Sequence, residues 1–158
     1  MKNSKGIWKK TFVLTLAGGL AFWLANFAIS RTSIAAEYRA IMSISYYPML
    51  LQALFGGLII GFCVSYFLLR FYDKIPTKKP FSKSVILSII VLVIATILLQ
   101  GPSSFLAVTN GALRSFLLGA LFNAIRIPVL GIGIGWLYSR LYEEPDLSTG
   151  ASMPAQAK

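Results

Sequence analysis

Histidine is absent from this 158-residue chain, and cysteine occurs only once, as Cys63. Without histidine there is no imidazole to ligate haem or zinc, or to act as a general base. A single cysteine excludes a disulfide framework and a Cys/His zinc site. Cys63 stands among apolar neighbours, which is typical of an unreactive thiol.

Acidic residues are scarce too, with five Asp and Glu against fifteen Lys and Arg. They are Glu37, Asp73, Glu143, Glu144 and Asp146. None lies inside a long apolar run, and no pair has the spacing that would bind a metal on one helix face. We therefore expect a protein that is not an enzyme and that has no metal and no cofactor.

Charged residues make up only 13% of the chain, whereas hydrophobic residues make up 56%. In a typical soluble domain about 25% of the residues are charged and about 45–50% are apolar. Of four apolar runs, those at 11–29, 47–69 and 115–138 meet the requirement of roughly 20 helical residues to cross a bilayer, and the run at 85–99 is shorter. The third run is short and lacks the alternation of a membrane β-strand. The sequence therefore predicts an all-α polytopic membrane protein, with four transmembrane helices in residues 1–142.

The first run has an alternative interpretation as a secretory signal peptide. Lysines precede it, and Ser33-Ile34-Ala35 resembles a cleavage site. The apolar region of a signal peptide is about 7–15 residues long, and this run is longer. We therefore favour a retained first helix.

Basic residues are divided unequally between the two sides of the predicted bundle. Eleven fall on the side of the termini and only three, Arg31, Arg39 and Arg114, on the other. The positive-inside rule then places both termini in the cytoplasm, and predicts a multi-pass protein of the plasma (inner) membrane. This bias explains the net charge of +10 without nucleic acid and favours anionic lipids at the cytoplasmic face. The small, polar residues 143–158 predict a disordered cytoplasmic tail.

The two halves of the chain match when one is shifted by seventy residues. Arg70-Phe71-Tyr72-Asp73 then falls on Arg140-Leu141-Tyr142-Glu143, and Gly61 falls on Gly131. Each half would be a helical hairpin, and the two would be related by an axis along the membrane normal. The alternative is convergence, because helix ends at the cytoplasmic face commonly carry Arg and Tyr.

Small residues recur every fourth position in two of the predicted helices. They are Ala53, Gly57, Gly61 and Ser65 in the second helix, and Gly131 and Gly135 in the fourth. Such spacing lets helix backbones approach closely. It is compatible with packing inside one chain and with packing between chains.

Arg126 lies near the middle of the fourth run, where an arginine costs about 2.5–3.5 kcal/mol to insert. Four arrangements would compensate for this cost. Pro128, a candidate hinge, frees the carbonyl of Ala124 as an acceptor. Asn123, Asn26, Gln52 and Thr96 offer neutral acceptors. Alternatively, an anion from a lipid, a substrate or a partner binds there, or the helix is broken and Arg126 is hydrated.

Two functions are compatible with these features. The first is a non-catalytic membrane protein that acts through helix–helix contacts, as a homo-oligomer or as a small subunit of a larger complex. The alternative is a small transporter or channel for an anionic solute. In that case Arg126 lies in the path, and Asn123, Asn26 and Gln52 are the other candidate anion- or partner-binding residues.

Overall fold

The computed structural model describes residues 4–77, 79–100 and 110–142, and these form five α-helices and no strand. Helix α1 spans Ser4–Ser30, α2 spans Ser33–Met42 and α3 spans Tyr46–Arg70. Helix α4 spans Pro80–Ala95 and continues as a π-helical turn over Thr96–Gln100. Helix α5 spans Asn110–Tyr142, and a short 3₁₀ turn, Tyr72–Lys74, follows α3. The predicted tail, residues 143–158, lies outside the described residues.

Four of these helices, α1, α3, α4 and α5, are long and apolar enough to cross a bilayer, which confirms the predicted all-helical class and helix number. The apolar segments extend over 25, 25, 19 and 30 residues. Helix α4 begins at Pro80, five residues before the apolar run at 85–99, because proline is well suited to the first helical position. This extension brings Lys83 into the helix, where its side chain is buried and Nζ donates to the carbonyl of Tyr72 at 2.6 Å.

The long helices pack in the order α3, α1, α5, α4, and each is antiparallel to the next. From the N-terminus of α1 toward its C-terminus, Thr15 lies against Gly61 of α3 and Phe22 lies against Gly57. The contacts move backward along α3, so the two helices are antiparallel. Helix α5 contacts α1 and α4 extensively, whereas α3 and α4 touch much less. Both described ends lie at the same end of the bundle, because Lys10 Nζ is 4.4 Å from the centre of the Tyr142 ring.

Several small polar side chains are buried, and many large apolar side chains are exposed. Thr11, Ser65, Ser84 and Ser88 are buried. Many large side chains of the four helices are exposed, among them Phe12, Leu20, Phe55, Ile59, Ile90, Leu98, Leu117 and Ile132. The buried apolar core is small and consists of Leu14, Phe22, Ala53, Val64, Leu68, Ile127, Leu130 and Ile134.

Glycines mark the closest approaches between neighbouring helices. A Cβ at Gly61 would lie 3.1 Å from the carbonyl oxygen of Thr15 in α1. A Cβ at Gly131 would overlap Ser88 Oγ and lie 2.7 Å from Ser88 Cβ. Ser84 Oγ also donates to the Gly131 carbonyl at 2.8 Å, so α4 and α5 are both packed and hydrogen-bonded at this point.

The contact at Gly131 gives a direct test of this packing. Gly131→Ala should destabilise the bundle by roughly 1–3 kcal/mol, because the added methyl displaces Ser88 and with it α4. The matched control is Gly56→Ala, since a Cβ there would meet nothing within 4 Å. The measurement is the free energy of unfolding of both variants in mild detergent, and equal stabilities would contradict the packing.

Candidate functional site: a polar cluster around Arg126

Arg126 lies near the middle of α5, and three neutral oxygens accept hydrogen bonds from its guanidinium. Nε donates to the carbonyl of Phe122 at 3.1 Å, one helical turn earlier. Nη2 donates to Oδ1 of Asn123 at 3.0 Å on the same helix. Nη1 donates to Oδ1 of Asn26 at 2.6 Å, which ties α5 to α1. The shortest of these bonds is therefore the one that joins two helices.

Two aromatic rings lie next to the same guanidinium. Its Cζ is 5.3 Å from the ring centre of Phe22 in α1 and 5.7 Å from that of Phe122. Both distances are within the roughly 6 Å over which a cation is attracted to a ring face. The rings stabilise the charge without accepting hydrogen bonds in the plane of the guanidinium, so they leave its remaining N–H groups available.

Several donors in this cluster have no acceptor among the described residues. A guanidinium has five N–H groups, and three of them donate to the oxygens above, which leaves two without a partner in the described part of the chain. Because a guanidinium only donates, Asn26 must turn its oxygen toward Arg126 and its amide nitrogen away. Nδ2 of Asn26 is fully buried and has no partner among the described residues, in a residue that is only 3% exposed.

A cavity of about 330 Å³ adjoins the cluster. The short helix α2 covers one side of it with Ala35, Tyr38 and Met42. The ring of Tyr38 meets Phe122 edge-on, with ring centres 5.4 Å apart. The rest of the described lining is Phe22, Asn26, Ile29, Ser30, Ile44, Met49, Gln52, Ala53, Gly56, Ile60, Ala95, Asn123 and Arg126.

The described wall of this cavity carries one positive charge and no negative charge. Arg126 is the charged lining residue. Glu37 of α2 does not line the cavity and instead pairs with Arg114 Nε at 2.6 Å. Among the residues whose placement is described, no three His, Cys, Asp or Glu side chains come together as metal ligands. The described lining of the cavity therefore has a net positive charge.

The structure brings together the four residues expected to form an anion- or partner-binding site, but with different roles. Asn26 and Asn123 bond directly to Arg126. Gln52 lines the cavity, but its side chain is exposed and makes no hydrogen bond within the described residues. The role of these residues in binding stays a prediction.

The backbone acceptor of Arg126 is not the one that the position of Pro128 suggested. The carbonyl of Phe122, rather than that of Ala124, accepts from Nε. Phe122 lies one turn back on the same face of the helix, whereas Ala124 is two residues back and faces another side. Helix α5 continues through Pro128 without a break, so a hinge there stays a prediction.

The predicted helix-packing residues all lie at buried positions. Ala53, Gly57, Gly61 and Ser65 are buried in α3, and Gly131 and Gly135 are buried in α5. A Cβ at Gly57 would lie 2.8 Å from the ring of Phe22, and one at Gly135 would lie 3.0 Å from the Cα of Phe81. These contacts are made within one chain.

Sequence reasoning missed the aromatic side of the site. Phe22, Phe122 and Tyr38 contact the guanidinium or line the cavity, and aromatic residues are too common in this chain to single these three out. The available signal was spacing: Phe22 and Phe122 each lie four residues before a site residue, Asn26 and Arg126, and therefore on the same helix faces.

Comparison with known proteins finds no match to a protein-family model, to a curated protein or to a solved structure.

The bond between Asn26 and Arg126 predicts an asymmetry between two amides of the cavity. Asn26→Ala should lower the free energy of unfolding by on the order of 1–2 kcal/mol, because it removes the acceptor that joins α1 to a buried cation. Gln52→Ala, the matched control, should change it by less than about 0.5 kcal/mol, since its amide makes no such bond. Thermal or denaturant unfolding in detergent measures both, and equal losses would contradict the assignment.

Proposed function

We propose that this protein is a small transporter or channel that crosses the membrane four times and binds an anionic solute at Arg126. The proposal rests on the surplus of hydrogen-bond donors in two residues that line the cavity. Two N–H groups of Arg126 and Nδ2 of Asn26 lack acceptors, and no carboxylate lines the cavity among the described residues.

A purely structural role for Arg126 accounts less well for this geometry. Buried polar groups are nearly always hydrogen-bonded, and a structural arginine in an apolar bundle would use its donors on neighbouring oxygens. Here the neutral acceptors satisfy three donors and leave the others beside a cavity. One anion accepting from both Arg126 and Asn26 would satisfy the remaining groups and neutralise the charge.

The distribution of surface chemistry supports the membrane setting. The four long helices expose large apolar side chains and bury small polar ones. In the proposed orientation the ends of the bundle at Lys10 and Tyr142 face the cytoplasm, because the basic residues cluster on that side. The α2 side of the cavity then faces outward, and the protein belongs to the plasma membrane. The proposed action is binding and passage without catalysis.

A tandem duplication of two hairpins, α1–α3 and α4–α5, is part of the proposal. It is supported by two glycines that the seventy-residue shift relates. Gly61 packs on α1 at the carbonyl of Thr15, and Gly131 packs on α4 at the carbonyl of Ser84. Residue 84 is within one position of the residue that the shift assigns to Thr15, so both hairpins close at nearly equivalent points.

The transport proposal is tested by tracer uptake into proteoliposomes. The anions are chloride, inorganic phosphate and alkyl sulfonates with one to eight carbons. We expect uptake of at least one of them, and we expect Arg126→Gln to lower it at least tenfold, because the charge that binds the anion is lost. Arg70→Gln removes an exposed arginine at the end of α3 and should leave uptake unchanged. Undiminished uptake by Arg126→Gln, or no uptake of any anion by the unmodified protein, would contradict the proposal.

A second candidate function, action through contacts with another copy or a larger complex, is favoured by one face of α3. Gln52 is exposed there, and a Cβ at Gly56, one turn away, would meet nothing within 4 Å. In lipid an exposed amide gains from a hydrogen bond to a partner helix, and a glycine allows that helix to approach.

Disulfide crosslinking in native membranes tests this second candidate. Gly56→Cys in a Cys63→Ser background should form linked dimers, or a link to another protein that co-purifies. Leu20→Cys in the same background is the matched control, because Leu20 is 54% exposed on α1, away from that face. A monomer that crosslinks equally little at both positions would count against the candidate.

A further inference from the structure

The chemical class of the anion follows from three features of the cavity, and this inference rests on the proposed anion site. The first is the number and kind of donors. Arg126 offers two N–H groups and Asn26 offers an amide nitrogen, all from planar groups that point in fixed directions. One free N–H remains on each of Nη1 and Nη2, so a ligand with several acceptor oxygens, an oxyanion, satisfies this set. A halide ion is a single acceptor atom and does not match donors that lie on three different nitrogens.

The second feature is the charge. Arg126 supplies the one charge on the described wall of the cavity. The neighbouring Arg39 donates through Nη1 to the carbonyl of Ser30 and is not part of the lining. A ligand with one negative charge neutralises Arg126, whereas a second negative charge would be buried without a partner, which is strongly unfavourable. The charge therefore selects a monoanion.

The third feature is the apolar remainder of the wall. Beyond the polar cluster the cavity is lined by side chains such as Ile29, Met42, Met49 and Ile60. An inorganic oxyanion would leave these surfaces without a partner. A hydrocarbon body attached to the oxyanion would contact them, and each buried methylene contributes about 0.8 kcal/mol.

The described structure also indicates the side on which this hydrocarbon body would leave the cavity. On the side of α3 and α4, Ala95 is the lining residue that the described part of α4 contributes, and the α3 lining includes the exposed Gln52 and the open position at Gly56. These two helices touch each other less than the other adjacent pairs do. In the proposed membrane setting this side faces the lipid chains.

We propose that the ligand is a singly charged oxyanion on an apolar body, a phosphodiester or sulfonate-like headgroup with a hydrocarbon chain. Arg126 and Asn26 hold the headgroup, and the chain leaves the cavity between α3 and α4. At about 330 Å³ the cavity is at the lower end of the size range of small-molecule sites, large enough for the headgroup and not for whole acyl chains. Such a ligand is either a bilayer phospholipid or a free amphiphile.

The test measures binding to the purified protein in nanodiscs of phosphatidylcholine. Methanesulfonate and octanesulfonate carry the same permanently charged headgroup and differ only in the hydrocarbon body. We expect octanesulfonate to bind at least tenfold more tightly than methanesulfonate by titration calorimetry. Native mass spectrometry distinguishes the source. Retained phosphatidylglycerol that octanesulfonate displaces identifies a bilayer phospholipid, whereas octanesulfonate binding without retained phosphatidylglycerol identifies a free amphiphile.

The informative variant is Asn26→Asp, because it keeps the shape and the acceptor oxygen while placing a negative charge 2.6 Å from Arg126. The new carboxylate supplies the missing counter-ion, so the variant should melt no lower than the unmodified protein and yet lose at least tenfold in octanesulfonate affinity. Lys79→Gln is the control for non-specific attraction, since it removes an exposed positive charge and should bind normally.

The possible results distinguish a failure of the proposed ligand class from a failure of the proposed anion site. Equal affinities for methanesulfonate and octanesulfonate, both lost in Asn26→Asp, would overturn the apolar body and leave an anion site. No binding of either sulfonate, together with no retained anionic lipid, would overturn both. Binding that persists in a folded Asn26→Asp would show that the anion lies elsewhere.

Discussion

A positive charge in the interior of an apolar bundle is the constraint on which this structure depends. Arg126 lies too far along α5 for its side chain to extend fully to either end of the helix, so the bundle itself must stabilise the guanidinium. It does so with the oxygens of Phe122, Asn123 and Asn26 and with two aromatic rings. Only Asn26 and Phe22 come from another helix, and both are on α1. The packing of α1 against α5 therefore also stabilises the charge, because α1 supplies an acceptor oxygen and an aromatic ring to Arg126.

The helix contacts allow that solution because they bring the backbones close together. Gly18 of α1 packs against Ile134 of α5, and Gly133 of α5 packs against Ala21 of α1. Close approach at these positions sets the rotation of both helices and turns Asn26 and Arg126 toward each other. At the end of the bundle away from Lys10 and Tyr142, α2 packs mainly against α5 and to a smaller extent against α1. The cavity lies beside α2 at this end, and the polar cluster of Asn26, Asn123 and Arg126 lines it.

The amino-acid sequence was sufficient for the helix count and for choosing Arg126, because length, hydropathy and an isolated charge are properties of the chain itself. It also named Asn26 and Asn123 among several polar residues in the apolar runs. It could not rank Asn26 above Gln52, since the ranking depends on how each helix is rotated, and the rotation depends on contacts such as that of Gly57 with Phe22. The sequence also could not predict that Tyr38 covers the cavity. The orientation of the short helix α2 depends on tertiary contacts such as the pair between Glu37 and Arg114.

The measurement that tests the central claim most directly is a double-mutant cycle between Asn26→Ala and Arg126→Gln, with free energies of unfolding measured in a bilayer. If the guanidinium is held inside the bundle by Asn26, the two substitutions should be coupled by about 1 kcal/mol or more, within the range of hydrogen bonds in membrane proteins. The same cycle with Gln52→Ala should be additive. Additivity of the Asn26 and Arg126 substitutions to within about 0.5 kcal/mol would show that the two side chains do not interact, and would contradict the account.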